Sequence, residues 1–486
     1  MKQQRLRYKL LALFVFCLFA LLAVYGCYSI LTYGNRWFAS SRNPRVRAQK
    51  EQVAAGDILD RDGLLLATTD ASGTRHYAED EAVRRAMVHL LGDSEGQVSN
   101  GVEAFQTNYL YGFDDSLLDL AGGLVSGSPR TGNTVRLTVS APLCAELAAA
   151  FDAHAGSAGK RGAAVVLNWK TGAVEALTSR PSFDPEAITA AIKGDPGQPF
   201  WNRATQAVIP PGSTFKVVAA AAALEQLSGI EEVSFTCTTD VLDFGDHVIA
   251  DYGGGSHGTV RLREAFIQSC NKMFANVAVN VGWRGMLRTA ERFGFNDNFL
   301  FRDLVVENSS YPTSAPSSYE LAACGFGQSG IAATPLHLCM IAAGVANGGV
   351  MMEPRLLQEV TSASGRRKLS FSSSPYRTCM PASVAGKLQE YMRAVVTQGT
   401  GRQAAVSGLK VCGKTGTADS TLDGNPVTYG WFIGYLDEED LPYAICVLVE
   451  DLDSGVSGGS AAAPIAADAF RWLRDHRTPE GGTAAP

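Results

Sequence analysis

An uncharged run of 21 residues near the start of the chain, LLALFVFCLFALLAVYGCYSI at positions 10–30, constrains the fold more than any other feature. The hydrocarbon core of a bilayer is about 30 Å thick, and a helix of about 20 apolar residues crosses it. A core helix of a soluble protein would keep a polar face. A cleaved signal peptide would have a shorter apolar run and a clear small-residue cleavage site. The run therefore predicts one transmembrane helix over residues 10–31.

The residues around this run leave two points open. The segment Val24-Tyr25-Gly26-Cys27 has a weak similarity to a bacterial lipoprotein cleavage site, although Tyr25 fits it badly and the apolar run continues past Cys27. Four basic residues precede the run, and five follow it before position 51. The positive charges therefore do not fix the orientation, and a long following domain crosses a membrane largely regardless of its charge.

The rest of the chain is acidic. The net charge is −6, and the first 50 residues carry nine Lys and Arg and no Asp or Glu, so the remainder carries −15. A nucleic-acid-binding protein presents a basic surface, so this composition argues against a nucleic-acid partner. The ten cysteines include no Cys-x-x-Cys pair, and the seven histidines do not cluster near them. The spacing therefore predicts buried free thiols and no metal site.

The pattern of strands and helices changes near position 159. Before it, "GDILDRDGLLLATT" predicts a hairpin around Asp62-Gly63, and Ser140 is the predicted N-cap of a helix. After it come two apolar strands, long Ala-rich helices, three further strands and a final helix. This order predicts one α+β domain whose antiparallel sheet is assembled from both ends of the segment and covered by helices. The predicted organisation is a short tail (1–9), the transmembrane helix (10–31), a small mixed membrane-proximal domain (32–157), the α+β domain (158–477) and a disordered tail (478–486).

Four Ser-x-x-Lys matches compete for the role of a catalytic pair: Ser157/Lys160, Ser213/Lys216, Ser269/Lys272 and Ser407/Lys410. Only Ser213 follows a Pro-Pro-Gly turn and precedes a long apolar helical run, which places it at or just inside a helix N-terminus. There, free backbone N–H groups and the helix dipole stabilise a developing alkoxide. The apolar run is expected to bury Lys216 and lower its pKa, and a neutral amine can take a proton from a serine one turn away.

Two other motifs carry polar groups that can complete such a site. Ser-Cys-Asn at 269–271 lies late in an amphipathic stretch, and taken alone it is more typical of a helix C-cap. Lys-Thr-Gly-Thr at 414–417 lies in an alternating strand, where a lysine, a hydroxyl and a glycine make an edge suited to a carboxylate. A second Lys-Thr-Gly begins at Lys170, and a turn between two strands explains it.

The ordered set PGSTFK, SCN and GKTGT is specific where each motif alone is not. It resembles the signature of the penicillin-recognising serine acyltransferases. Most of the chain resembles the class B penicillin-binding proteins, which are monofunctional peptidoglycan D,D-transpeptidases, and in particular their compact elongation- or sporulation-type members. The segments "NRATQAVIPPGSTFK", "GTGRQA" and "GWFIGY" also match. The box "GDILDRDGLLLA" matches as well, although Ala55 stands where an Arg usually precedes the glycine.

The resemblance implies the penicillin-recognising transpeptidase fold and a set of catalytic roles. Ser213 would be the acylated nucleophile, and Lys216 would be its general base. Ser269 would relay a proton to the leaving amine, and Asn271 would hold the peptide of the substrate. Lys414 would supply positive charge near Ser269.

The resemblance also implies the substrate-binding groups. Thr415, Gly416 and Thr417 would line the substrate, with both threonines hydrogen-bonded to its carboxylate. The backbone N–H groups of Ser213 and Thr417 would form the oxyanion hole, where one donor is typically worth about 3 kcal/mol of barrier.

The implied partners are peptidoglycan stem peptides ending in D-Ala-D-Ala, β-lactams, the membrane and a polytopic glycan polymerase, and the reaction requires no metal or cofactor. The N-terminus would be cytoplasmic and the catalytic domain extracytoplasmic. A serine β-lactamase or D,D-carboxypeptidase is one alternative, although no Glu-x-x-Leu-Asn motif follows the SCN element. A non-catalytic membrane scaffold or β-lactam sensor is the other, although such a protein would be free to lose its nucleophile and base.

Overall fold

The computed structural model describes residues 2–38, 52–113, 131–422 and 424–476. Helix α1 covers Lys2–Phe38, and its segment Leu6–Ser29 is long and apolar enough to cross a membrane. The predicted disordered tail, 478–486, lies outside the described residues.

The remaining elements follow in chain order. The strands are β1 (Ile58–Leu59), β2 (Leu65–Thr69), β3 (Arg75–Tyr77), β4 (Thr134–Leu137), β5 (Gly162–Asn168), β6 (Val174–Arg180), β7 (Phe235–Cys237), β8 (Leu242–Asp243), β9 (Val248–Ile249), β10 (Gly258–Val260), β11 (Val350–Met352), β12 (Leu357–Thr361), β13 (Arg367–Ser370), β14 (Pro375–Thr378), β15 (Val411–Leu422), β16 (Asn425–Leu436) and β17 (Tyr443–Val449). The helices are α2 (Glu81–Leu91), α3 (Val102–Phe105), α4 (Thr107–Leu110), α5 (Ala141–Ala153), α6 (Ala190–Lys193), α7 (Arg203–Gln206), α8 (Lys216–Gln226), α9 (Leu262–Gln268), α10 (Asn271–Val281), α11 (Trp283–Arg292), α12 (Ser318–Cys324), α13 (Pro335–Ala346), α14 (Ala382–Gln398) and α15 (Gly458–Asp475). Short 3₁₀ turns cover Gly212–Phe215, Ile230–Glu232, Tyr252–Gly254 and Arg402–Ala404.

A five-stranded sheet is antiparallel and has the strand order β15-β16-β17-β5-β6. Its strands come from the two ends of the predicted α+β domain, so that prediction is confirmed. β5, β6 and β17 are buried along almost their whole length, as expected for strands covered on both faces. Helices α5, α13 and α15 pack against this sheet, and α14 contacts its edge strand β15.

The second sheet has the order β13-β12-β4-β1-β2-β3. The predicted hairpin around Asp62-Gly63 is its β1–β2 pair, and the side chain of Ser140 caps α5 by accepting the N–H of Leu143. Strands β12 and β13 come from 357–370, inside the range assigned to the second domain. The sheet is therefore not built from residues 32–157 alone, and the boundary at 157/158 stays a prediction.

Cysteines are free throughout the described residues, and those outside α1 are buried. Burial raises the pKa of several of their thiols, to about 12 for Cys144 and Cys412. The predicted buried free thiols are therefore present.

Candidate active site

Ser213 lies on a short turn that leads directly into α8. The turn Gly212–Phe215 is a 3₁₀ helix, and Ser213 is its second residue rather than an N-cap. Gly212 has a φ of +53°, and a Cβ there would lie 2.6 Å from the carbonyl oxygen of Thr417. A residue with a side chain would be excluded from this position on both counts.

The segment before the turn is fixed by the sheet. Trp431 on β16 is fully buried, and its Nε1 donates to the carbonyl of Pro210 at 3.0 Å. Thr214 Oγ1 donates to the carbonyl of Pro211 at 2.8 Å. These bonds hold the turn against the sheet and leave the partly exposed Ser213 facing a cleft.

Lys216 is the first residue of α8 and is fully buried. Its Nζ donates to the Ser269 carbonyl at 2.5 Å, to Ser269 Oγ at 3.2 Å and to Asn271 Oδ1 at 2.8 Å. Burial lowers the pKa of Lys216 from 10.5 to about 7, so a large fraction of the amine is neutral at neutral pH. Among the described residues its hydrogen bonds do not include Ser213, and such catalytic bonds often tighten only when substrate is bound.

The Ser-Cys-Asn element joins two helices. Ser269 ends α9 with a φ of +60°, a left-handed conformation that is uncommon for residues other than glycine. Cys270 is the N-cap of α10, and its Sγ accepts the N–H of Met273. The helix C-cap interpretation of this element is therefore correct for Ser269, and the same turn also directs its hydroxyl toward two lysines.

Lys414 is the second of these lysines. It is fully buried on β15, and its Nζ donates to Ser269 Oγ at 2.9 Å and to the Thr415 carbonyl at 3.0 Å. Burial, together with repulsion from Lys216, holds the pKa of Lys414 well below its usual value. The Ser269 hydroxyl thus lies between two amines that can exchange protons with it.

After Lys414, successive side chains of the edge strand β15 point to alternate faces, so Thr415 and Thr417 lie on the same face. Thr415 Oγ1 lies 2.6 Å from Thr400 Oγ1, and Thr417 Oγ1 accepts the N–H of Gly458 at 3.2 Å. Gly416 lies against the Ser213 turn, because a Cβ there would lie 2.9 Å from the carbonyl oxygen of Pro211. The missing side chain therefore serves close packing between strand and turn.

These segments surround a cleft of about 760 Å³. The predicted residues in its lining are Ser213, Ser269, Asn271, Thr415 and Thr417. The buried amines of Lys216 and Lys414 contact Ser269. Two of the competing motifs, at Ser157 and Lys170, lie outside this lining. Ser157 donates to the carbonyl of Phe151, and Lys170 pairs with Glu439.

Two contributors to the site were missed at the sequence level. Asp251 Oδ1 accepts the N–H of Asn271 at 2.5 Å, and the loop around it forms one wall of the cleft. Thr400 holds Thr415, and its place in the matching segment "GTGRQA" was the only signal. Nothing in the spacing of Asp251 indicated its position.

The family follows from comparison with known proteins. A model of the penicillin-binding protein transpeptidase domain matches residues 162–471. The chain belongs to the class B penicillin-binding proteins. This class B protein is 30% identical to peptidoglycan D,D-transpeptidase PbpA of Mycolicibacterium smegmatis over 451 residues, which are 88% of this chain and 90% of that protein. It is 27% identical to stage V sporulation protein D of Bacillus subtilis over 452 residues, which are 87% of this chain and 67% of that protein.

Solved structures agree in fold. The ceftriaxone acyl-enzyme complex of penicillin-binding protein A from M. tuberculosis has a TM-score of 0.78 and 28% identity, covering 87% of this chain and 98% of that one. The D,D-transpeptidase domain of a peptidoglycan glycosyltransferase from Eggerthella lenta has a TM-score of 0.71 and 27% identity, covering 87% of this chain and 99% of that one. The predicted family and fold are therefore confirmed.

Proposed function

We propose that this class B penicillin-binding protein is a peptidoglycan D,D-transpeptidase and a target of β-lactams. One observation carries the proposal: two buried lysines meet at the Ser269 hydroxyl, in the cleft that also holds Ser213. Relatives named peptidoglycan D,D-transpeptidase and neighbours solved as β-lactam acyl-enzymes support it. The cross-linked substrate would be a stem peptide ending in D-Ala-D-Ala.

Acylation begins at Ser213. Neutral Lys216 takes the proton of the Ser213 hydroxyl as Oγ bonds to the carbonyl carbon between the two D-Ala residues. The oxyanion that forms accepts hydrogen bonds from the backbone N–H groups of Ser213 and Thr417. Asn271 holds the peptide, and Thr415 and Thr417 hold the terminal carboxylate.

Collapse of this intermediate breaks the C–N bond and releases D-Ala. The leaving nitrogen takes a proton from the Ser269 hydroxyl, which is replenished from the Lys216 and Lys414 amines that contact it. An acceptor amine then attacks the ester carbonyl and gives up one proton to the Ser269 and Lys216 groups. The ester C–O bond breaks, and Ser213 Oγ regains a proton from Lys216. The sum of the steps replaces one amide bond by another, so no oxidant or cofactor is consumed.

The test uses the full chain in detergent, a peptide donor ending in D-Ala-D-Ala and an excess of an acceptor amine. We expect D-Ala release and an amide-linked product by mass spectrometry. Ser213→Ala should abolish both, whereas Ser407→Ala, in a Ser-x-x-Lys match outside the cleft, should keep both. Hydrolysed donor alone, despite excess acceptor, would favour a carboxypeptidase, and untouched donor with intact penicillin binding would favour a sensor.

We also propose that the chain is anchored by α1 with its N-terminus cytoplasmic and its catalytic domain extracytoplasmic. The apolar segment Leu6–Ser29 supports the anchor. The peptidoglycan substrate lies on the extracytoplasmic side of the membrane, which supports the orientation. Native cysteines in the described residues lie in α1 or are buried, so introduced ones can report topology. A membrane-impermeant thiol reagent on intact cells should label Lys193→Cys and spare Gln4→Cys. The reverse pattern would invert the proposed orientation.

The glycan polymerase partner implied by the resemblance stays a prediction. Pull-down of the membrane complex from cells tests it, and recovery of this chain without any polytopic polymerase would argue against it.

A further inference from the structure

An exposed carboxylate lies in the lining of the cleft. Asp419 is on β15, two residues after Thr417, and it lines the same cleft as Ser213. Side chains two residues apart on a strand point to the same face and lie about 6.7 Å apart. Thr415, Thr417 and Asp419 therefore form one row along β15, called the strand row below. The catalytic roles described above use the two threonines and leave Asp419 without a role.

The neighbouring strand orients Asp419 within this row. Asp419 pairs with Thr428 of β16 in the ladder, and Thr428 Oγ1 donates to Asp419 Oδ1 at 2.8 Å. A hydroxyl donor is neutral, so this bond directs the carboxylate without cancelling its charge. The negative charge at this end of the strand row is therefore retained.

The other charged groups around the cleft are buried or paired. The second carboxylate, Asp251, is buried and lies 3.3 Å from Lys272 Nζ and 3.5 Å from His257 Nδ1. Lys216 and Lys414 are fully buried, and burial holds the pKa of each below its usual value. The lining residues that the structure describes include no lysine or arginine. The open surface of the cleft is therefore negative along the strand row and suits a positively charged group.

A donor peptide bound as proposed above reaches this carboxylate. β15 is the first strand in the order of its sheet, so an extended peptide can pair with its open edge as a further strand. The terminal carboxylate lies at Thr415 and Thr417, and the scissile carbonyl lies at the N–H of Thr417. This arrangement makes the donor run antiparallel to β15. The residue before the two D-Ala residues then lies beside Ala418 and Asp419.

The chemistry of cross-linking supplies the positive charge. The reaction joins the carbonyl carbon of a D-Ala residue to an amine of a neighbouring stem peptide. Stem peptides that serve in turn as donor and acceptor therefore carry an amine before they react. A side-chain amine has a pKa of about 10.4 in water, so at neutral pH it is an ammonium ion. The donor thus brings a cation close to its own scissile bond.

We propose that Asp419 is a specificity-determining residue that binds the ammonium group of the donor stem peptide, carried by the residue before D-Ala-D-Ala. The inference rests on the proposed transpeptidase function and names the substrate class of its donor site. Complementary charge of this kind gives selectivity through binding, so Asp419 acts on KM more than on kcat. Benzylpenicillin has no ammonium group, and its acylation of Ser213 does not require Asp419.

The test compares three donor peptides with the full chain in detergent. Each ends in D-Ala-D-Ala and carries lysine, norleucine or glutamate at the preceding position, and one acceptor amine is kept in excess throughout. We expect kcat/KM for D-Ala release to be about fivefold higher with lysine than with norleucine, the upper range for one exposed ion pair, and lowest with glutamate. The difference should lie mainly in KM and shrink as salt is added.

Variants at Asp419 assign this preference to its charge. Asp419→Asn should give equal kcat/KM for the lysine and norleucine donors, and Asp419→Lys should make the glutamate donor the best of the three. Asp152→Asn removes an exposed carboxylate on α5 that pairs with Arg180, and it should keep the original preference. All three variants should react with benzylpenicillin at the unmodified rate, because none of them alters the acylation machinery.

Equal kcat/KM for the three donors with the unmodified chain would overturn the inference and leave the transpeptidase function in place. An unchanged lysine preference in Asp419→Asn would also overturn it, as would an effect on the KM of the acceptor alone. Should Asp419→Asn fail to fold, the donor preference of the unmodified chain and its loss in salt decide the question.

Failure of the proposed function has a different signature, because D-Ala release would then be missing with every donor. In that case the concentration of each peptide that halves the rate of penicillin acylation measures the same preference. Tighter competition by the lysine peptide, lost in Asp419→Asn, would support the inference, and equal competition by all three peptides would overturn it.

Discussion

At the scale of single residues, two buried lysines determine the chemistry of the site. Lys216 and Lys414 are fully buried, and their amines lie 3.2 Å and 2.9 Å from the same Ser269 hydroxyl. Burial disfavours an ammonium ion, and a second ammonium nearby disfavours it further. The site therefore lowers the pKa values of both lysines and supplies a neutral base without a histidine or carboxylate.

The first prediction concerns pH. The pKa of Lys216 is lowered to about 7, and only its neutral form can take the Ser213 proton. The second-order rate of penicillin acylation should therefore fall about tenfold per pH unit below 7 and level off above it. Stopped-flow or quenched labelling from pH 5.5 to 8.5 measures this, and a flat profile over that range would contradict the assignment.

The second prediction concerns the base itself. Lys216→Arg keeps a cation of similar length that cannot lose its proton, so acylation should slow by about 10²–10⁴-fold, the usual contribution of general base catalysis. Lys410→Arg, on the exposed lysine of a Ser-x-x-Lys match outside the site, is the matched control and should leave the rate unchanged. Equal rates for both variants would remove Lys216 from the mechanism.

At the scale of elements, contact between the Ser213 turn and β15 builds the site. Gly212 and Gly416 face each other's segments, and a Cβ at either would lie within 3.0 Å of backbone oxygen. The strand that carries Lys414 and the turn that carries Ser213 can approach only because both side chains are missing.

The third prediction tests that contact. Gly416→Ala should lower the free energy of unfolding by about 1–3 kcal/mol through overpacking and slow penicillin acylation, because the turn must move away from β15. Gly386→Ala, in α14 with open space around its Cβ position, should leave acylation unchanged and be neutral or stabilising, since alanine is the better helix former. Thermal unfolding and labelling rates measure both, and normal acylation by Gly416→Ala would contradict the packing account.

The sequence predicted these elements unevenly. The apolar strands β5, β6 and β17 and the capped helix after Ser140 have strong local patterns, and they lie where the patterns indicated. Strands β12 and β13 are short and partly exposed. β12 pairs with β4, a strand more than 200 residues earlier, and β13 pairs with β12, so no local pattern assigned either of them to the six-stranded sheet. Asp251 and Thr400 act through contacts made only in the folded chain, so no local pattern marked them.

At the scale of the whole molecule, buried ion pairs join distant parts of the chain. Arg203 on α7 is 1% exposed, and its Nε lies 3.0 Å from Glu450 Oε1, just after β17. Arg161, before β5, contacts the other carboxylate oxygen of Glu450 at 3.1 Å. The pairing holds α7, which precedes the Ser213 turn, against the ends of the central strands.

The fourth prediction tests this link. Glu450→Gln leaves the Arg203 charge buried without its partner, so the free energy of unfolding should fall by about 3–5 kcal/mol. Glu439→Gln removes a carboxylate from an exposed pair with Lys170 and should change it by less than about 1 kcal/mol. Thermal unfolding measures the free energy of unfolding of both variants. Equal values for Glu450→Gln and Glu439→Gln would show that the buried pair does not stabilise the fold.

The central claim is that Ser213 is the acylated nucleophile of a transpeptidase, and penicillin tests it most directly. Mass spectrometry of the full chain after brief exposure to penicillin, with digestion to locate the adduct, should find one penicilloyl group on Ser213. The adduct should persist for minutes, because a transpeptidase reserves its acyl-enzyme for an amine, and it should be missing from Ser213→Ala. An adduct on another residue, no adduct, or its hydrolysis within seconds would contradict the account.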